Sequence, residues 1–290
     1  MKKLSTQIAG LKLKNPVLLA SGIASFGEEY FDLVNLNILG GFITKTITFL
    51  PKKGNPPPRF FETKSGIVNS IGLENPGLEK FISEKLVFIR KKFKIPVIVS
   101  VGGDTEDEYA RTVSRLDKED GISGFELNLS CPNVGKKILP SQDKKVAYRI
   151  VSSVRKVTSL PLIVKLSPLV SDIVSIAESC KKAGADIISL INSFPAMIYP
   201  SAKFNNPFSG GLSGPCIKPI ALRMVYEVSN SVKVPVIGCG GIYSCEDAIE
   251  FIKAGAKAVA VGSGFFRDPK LPEKIIKFLC SRKAKLCLNQ

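Results

Sequence analysis

The sequence contains no histidine. Any proton transfer it performs therefore falls to Cys, Lys, Asp, Glu or Tyr. It has no CxxC pair; its cysteines are scattered at positions 131, 180, 216, 239, 245, 280 and 287. With no CxxC pair and no histidine, a zinc or iron–sulfur centre built from this chain alone is not expected. Long hydrophobic runs are missing too. No stretch approaches the roughly 18 apolar residues that span a bilayer. The opening MKKLSTQIAGLKLKNP has no unbroken apolar core, so it reads neither as a secretory signal nor as an anchor. These absences predict a soluble, cytoplasmic protein with reduced thiols and no membrane attachment.

Acidic residues are scarce, 25 against 41 Lys and Arg, for a formal net charge of +16. Such a field favours anionic ligands. The lysines are spread along the chain with no interleaved aromatic or arginine motif, so nucleic acid is not the expected partner. A cofactor phosphate, an anionic substrate or an acidic partner would each benefit.

What is present is a rhythm. Short apolar runs at Val17–Ala20, Phe42–Thr46, Val97–Val101, Gly124–Leu129, Leu162–Leu166, Asp186–Ile191, Val234–Gly238 and Ala258–Gly262 read as buried parallel strands. Amphipathic helices are predicted between them at Glu79–Phe93, Glu106–Leu116, Lys144–Val157, Ile173–Ala183, Ile217–Val228 and Cys245–Lys253. In KAGADIISLINS and KAGAKAVAVGSG a helix ends at Gly and a strand follows at once. Eight parallel strands in sequence predict closure into an α/β (β/α)8 TIM barrel rather than an open doubly wound sheet. The stretch from Pro51 to Gly77 reads as a long connection, and no linker divides residues 1–290, so one domain is expected.

In such a barrel the chemistry gathers where strands end. Ser21-Gly22, Lys45-Thr46, Asn128 to Asn133, Lys165, Asn192-Ser193, Gly240-Gly241 and Gly262-Ser263 all fall there. The last two strands end in the glycine-rich GCGGI and VGSGFF, suited to a phosphate, with Gly214 of SGGLSGP a further backbone donor. Lys45 and Lys165 close otherwise apolar strands, where an ammonium is costly unless it meets an anion. Cys131, in ELNLSCPN, lies among polar residues at a strand end, unlike a packing cysteine; nearby Lys45 or Lys165 could favour its thiolate. The residues alone thus predict a barrel enzyme holding a phosphorylated ligand, with the reaction open.

TKTIT, NSIGLENPG, LNLSCPN, VKLSP, LINS, GGLSGPCIKPIAL, GCGGI and VGSG, in this order, resemble the class 1 dihydroorotate dehydrogenases across nearly the whole chain. GGLSGPCIKPIAL and GCGGI resemble the NAD-linked branch. The resemblance implies a flavoprotein that binds one FMN and oxidises dihydroorotate to orotate in de novo pyrimidine biosynthesis. It implies FMN contacts at Ser21, Lys45, Thr46, Ser100, Asn128, Lys165, Ile191, Gly214, Gly240, Gly241, Gly262 and Ser263. Substrate contacts are implied at Lys45, Asn69, Ser70, Ile71, Gly72, Leu73, Asn128, Asn192 and Ser193, and Cys131 falls on the catalytic base. Electrons would pass to NAD through a partner subunit carrying FAD and a 2Fe–2S cluster, around a homodimeric core within a heterotetramer. Ser100 stands where the family usually carries an asparagine, and its reach is shorter. Alternatives left open are an FMN-dependent enzyme acting on dihydrouracil, a fumarate-linked dihydroorotate dehydrogenase, and a barrel that binds a phosphate ligand or partner without catalysis.

Overall fold

In the computed structural model, residues 4–130, 139–200, 206–281 and 284 are described. A hairpin comes first, β1 (Thr6–Ile8) paired antiparallel with β2 (Leu11–Leu13). Then follow β3 (Val17–Leu19) and β4 (Gly41–Ile43), a second hairpin of β5 (Phe60–Thr63) and β6 (Gly66–Asn69), and β7 (Val97–Val101). Next are β8 (Gly124–Asn128), β9 (Leu162–Lys165) and β10 (Ile187–Leu190). The series ends with β11 (Phe194–Ile198), β12 (Phe208–Ser213), β13 (Val236–Cys239) and β14 (Ala258–Val261).

Eight of these strands, β3, β4, β7, β8, β9, β10, β13 and β14, pair in parallel in that order, and β14 returns to β3 through Val259–Val17, Ala260–Leu18 and Val261–Leu19. The closed (β/α)8 barrel predicted from the apolar runs is thus the observed fold, each strand lying within a few residues of its predicted span.

Helices fill the crossovers. α1 (Leu78–Lys80) runs through a π-helical turn at Phe81–Lys85 into α2 (Leu86–Lys92). Then come α3 (Glu106–Leu116), α4 (Lys144–Arg155), α5 (Ile173–Lys182), α6 (Lys218–Ser231) and α7 (Cys245–Lys253), followed by α8 (Gly264–Arg267) and α9 (Leu271–Leu279). Side-chain oxygens start several of them: Thr105, Asp143, Asp172 and Ser244 each accept a first-turn backbone N–H. α4 turns Ala147, Ile150, Val151 and Val154 inward, the helical spacing that buries one stripe against the sheet. Gly184 and Gly255 follow their helices at φ 104° and 109°, as the KAGA repeats predicted.

Two features were not legible as strands. The connection after β4 is not plain loop: β5 and β6 lie in a four-stranded antiparallel sheet of order β11-β12-β6-β5. Its strands come from two crossovers far apart in sequence, β11 and β12 being the insertion after β10, so neither insertion carries a complete sheet signal of its own. The opening hairpin packs Ile8, Leu11 and Leu13 against Leu18, Ile43, Ile98, Ile163, Ile187, Ile237 and Ala258 inside the barrel, filling the end where the strands begin. The opposite end is left for the site. No helix among the described residues is long and apolar enough to cross a membrane.

Candidate functional site

A cavity of about 300 Å³ lies over the carboxyl ends of the barrel strands. Its floor and walls come from residues at or just past strand ends: Ala20 to Ile23 after β3, Lys45 and Thr46 after β4, Asn128 on β8, Lys165 on β9, Ile191 to Ser193 after β10, Cys239 to Gly241 at β13, and Gly262 and Ser263 after β14. The antiparallel sheet and adjoining loop supply the rest, with Phe60, Ile67, Asn69, Ser213 and Ile71 to Glu74. Phe60 meets Phe266 edge to face, ring centroids 6.0 Å apart, at the rim.

The glycines show where space is kept. A Cβ added at Gly22 or Gly262 would meet no protein atom within 4 Å, so both border open volume. Gly240 and Gly241 differ. Their φ values of 119° and 81° suit glycine, and a Cβ at Gly241 would press on Lys218 Cβ at 2.7 Å. Lys218 is itself held by Asp247 at 2.6 Å and Glu250 at 2.9 Å, so α6 and α7 are tied together beneath this turn.

Lys165 is 5% exposed, and its Nζ reaches Ser21 Oγ at 3.4 Å. Lys45 lies 3.8 Å from Glu74, which also pairs with Arg59 at 2.8 Å. Burial pushes the Lys45 ammonium below its ordinary value of 10.5, and the Glu74 charge opposes that shift in part. Cys239, wholly buried, is pushed up by burial, with Lys165 pulling the other way.

An amide network crosses the floor. Asn128 Nδ2 donates to Thr46 Oγ1 at 3.1 Å, and Asn128 Oδ1 accepts from Ser130 N and Oγ at 3.3 and 3.2 Å. Asn192 Nδ2 donates to Ser130 Oγ at 2.9 Å. Tyr109 Oη donates to the Asn128 carbonyl at 2.8 Å, fixing the strand end from behind. Asn69, at the end of β6, donates to the Gly211 carbonyl at 3.2 Å and enters from the roof.

Most of the residues singled out from the sequence therefore line one cavity. Three do not. Ser100 is fully buried behind Thr46, and its short side chain hydrogen-bonds Thr46 Oγ1 and Glu126 instead of reaching the cavity. Ser70 turns to Asn55, whose Nδ2 donates to it at 2.8 Å. Gly214 sits against the neighbouring sheet, where a Cβ would meet Gly66 Cα at 2.6 Å, so its lack of a side chain serves backbone packing. Cys131 lies outside the described residues; its neighbour Ser130 is buried in the floor network.

Sequence reasoning missed Glu74, Glu126, Phe60 and Phe266. Glu126 carried a usable signal, because a carboxylate inside the apolar run GFELN poses the same burial cost that drew notice to Lys165. The aromatic pair carried none, since it forms between segments far apart in sequence. Among the described residues no group of three His, Cys, Asp or Glu side chains converges as a metal site.

Comparison with known proteins bears on this geometry. The dihydroorotate dehydrogenase family profile matches residues 3–282. A protein of Geotalea uraniireducens named dihydroorotate dehydrogenase B (NAD(+)), catalytic subunit, is 48% identical over 277 residues, covering 94% of this chain and 90% of that protein. Proteins of the same name from Petrotoga mobilis and Listeria welshimeri are 49% and 44% identical, over 93% and 100% of this chain and 91% and 96% of their own lengths. In fold, the chain resembles the Eimeria tenella dihydroorotate dehydrogenase solved in complex with ferulenol, with a TM-score of 0.82 at 23% identity, covering 100% of this chain and 88% of that one. With the family profile spanning the whole barrel and near-half identity to B-type catalytic subunits, this chain belongs to the dihydroorotate dehydrogenase family of oxidoreductases.

Proposed function

We propose that the chain oxidises dihydroorotate to orotate as the catalytic subunit of an NAD-linked enzyme, with FMN held in the cavity at the strand ends and residues 1–290 forming one FMN-binding domain. The observation that carries this reading is the composition of that cavity: glycine turns from the last two strands on one side, two lysines, and three asparagine amides converging on the floor and roof.

The residues fit a flavin nucleotide. The open volume beside Gly22 and Gly262 leaves room for a ligand against bare backbone, and Gly240, Gly241, Gly262 and Ser263 suit its phosphate. Lys165, Ser21, Thr46, Asn128 and Ile191 would hold the ring system. When bound, FMN supplies acceptance of a hydride equivalent from the substrate carbon.

The protein's own part is positioning and proton transfer. Dihydroorotate carries a hydrogen alpha to a ring carbonyl, and Cys131 removes it as base. A thiol of ordinary pKa about 8.5 needs only modest tuning for this at neutral pH. Lys45 offsets the substrate carboxylate. Asn69, Asn128 and Asn192 pair with the alternating N–H and C=O groups of the ring, for which an amide offers both donor and acceptor. Ile71, Gly72, Leu73 and Ser193 close around it. Nothing in the sequence supplies a dinucleotide fingerprint or cluster ligands, so electrons reach NAD through a partner subunit carrying FAD and a 2Fe–2S cluster, in keeping with the subunit names of the relatives.

The test begins with colour. Purified protein is expected to be yellow with FMN-like absorbance and to oxidise dihydroorotate in a steady-state assay. Colourless protein, or faster turnover of dihydrouracil, overturns the reading. Efficient fumarate reduction by the isolated chain overturns the NAD branch.

A further inference from the structure

The cavity proposed to receive an anionic substrate holds an anion of its own. Of the described residues that line it, Glu74 alone is acidic, against the two lysines Lys45 and Lys165. Glu74 Oε2 lies 2.8 Å from Arg59 Nη1 and 3.8 Å from Lys45 Nζ, so one carboxylate oxygen is shared between two cations. The side chains of Lys45 and Arg59 are 21% and 24% exposed, and that of Glu74 is 46% exposed.

The arrangement is braced from both sides. Arg59 also donates to the Asn55 carbonyl and, at 3.1 Å, to the Lys53 carbonyl. Asn75, buried beside Glu74 in the chain, donates to Thr48 Oγ1 at 2.8 Å and to the Leu73 carbonyl at 2.7 Å. Glu74 thus projects from a tied turn, directly after the Ile71 to Leu73 segment proposed to close around the substrate. The charges acting on Lys45 are Glu74 and Glu29, which favour its ammonium, and Arg59, which opposes it. A partly buried ammonium loses hydration and is stabilised by an anion close by. With the cavity empty, Glu74 is the nearer such anion. A substrate carboxylate brought to Lys45 approaches a cation that already has a partner, and two carboxylates at one ammonium repel each other.

We propose that Glu74 is a specificity-determining residue, the resident counter-ion of Lys45, and that it competes with the substrate carboxylate for that lysine. The inference rests on the dihydroorotate reading and deepens it, because the ligand class it addresses is a small ring acid. Glu74 keeps Lys45 charged between turnovers, and by drawing the ammonium back it assists departure of the acid product. The effect has the opposite sign to that of a brace. A residue that only held the turn together would weaken binding when removed, whereas removing a competing anion strengthens it.

The decisive measurement is orotate binding to the flavin-loaded protein at pH 7 by calorimetry. Glu74→Gln keeps the size and removes the charge, and it is expected to lower the dissociation constant at least threefold, the scale of one partly exposed charge pair. Its pH profile is a second readout. Losing Glu74 removes one of the two charges that favour the Lys45 ammonium, so the alkaline rise in KM for dihydroorotate is expected to begin at lower pH than in the parent. An orotate dissociation constant equal to or above the parent's overturns the proposal, as does an alkaline rise that begins at the same or a higher pH. Glu74→Ala removes the same charge and is measured beside it; where only one of the two variants folds, that one decides. A parent protein that binds FMN but no orotate sinks the dihydroorotate reading itself. That outcome is distinct from a parent that binds orotate and variants that bind it no more tightly.

Discussion

Asn192 donates its side-chain amide to Ser130 Oγ at 2.9 Å, joining the residues that follow β10 and β8 across the floor of the cavity. Each of those loops is anchored to a different strand, so the contact sets the width of the floor as well as its polarity. Asn192→Ala is expected to raise the orotate dissociation constant at least tenfold, the scale of one lost hydrogen bond together with an unpaired buried neighbour. Calorimetry reads the affinity. A thermal midpoint close to the parent's would separate this effect from unfolding.

Cys131→Ala removes the proposed base. The loss in kcat is expected to be about a hundredfold or more, the range general base catalysis contributes. The visible spectrum of the variant is expected to retain its flavin bands. Near-parental turnover would remove Cys131 from the mechanism.

Lys45 gives a pH dependence whose sign follows from its surroundings. Burial lowers its pKa from 10.5. The ammonium is the form that attracts a substrate carboxylate, so KM for dihydroorotate is expected to rise with increasing pH, beginning below 10.5. In Lys45→Arg that alkaline limb is expected to vanish, because a guanidinium stays protonated above pH 12. Initial-rate measurements across pH 7 to 10 would reveal the difference.

Two glycines that look alike in sequence are predicted to behave differently. At Gly262 an alanine Cβ enters open volume, so Gly262→Ala is expected to keep its thermal midpoint and lose FMN affinity. At Gly241 the same change meets Lys218 Cβ at 2.7 Å with φ at 81°, so Gly241→Ala is expected to destabilise the fold by about 1–3 kcal/mol. Thermal unfolding and flavin release, measured side by side, distinguish the two.

Thiol chemistry follows burial. Cys180 is wholly buried and pushed up to about 12 by desolvation, whereas Cys216 is exposed. Brief alkylation of the native protein with iodoacetamide near pH 8 is expected to label Cys216 and spare Cys180, as read by peptide mass mapping.

The barrel was legible because parallel strands buried on both faces leave continuous Val, Ile and Leu runs, as in Val97–Val101 and Ala258–Val261. The helices from α1 to α7 followed from apolar periodicity and end signals, and α3 and α7 begin and end at their predicted residues, whereas α8 and α9 were not predicted. The roof was not legible. β5, β6, β11 and β12 are largely half-exposed, β6 and β12 contain glycine, and their pairing unites two insertions that no local pattern connects. In the site, residues at strand ends were found by position, while Ser100, Ser70 and Gly214 show that adjacency in a motif does not fix which way a side chain turns. Glu74 was hidden within NSIGLENPG, because its importance comes from Lys45 and Arg59, which reach it from other segments.

The seam between β14 and β3 also has a consequence for how the molecule is made. The third strand of the chain finds one of its two neighbours only after every other barrel strand has been made, when Ala258–Val261 becomes available. Until then β3 has a bare edge and the plugging hairpin has an incomplete wall. A nascent chain cut short of that point cannot seal its cylinder, and it carries the long-range pairing burden that slows folding and exposes sticky intermediates.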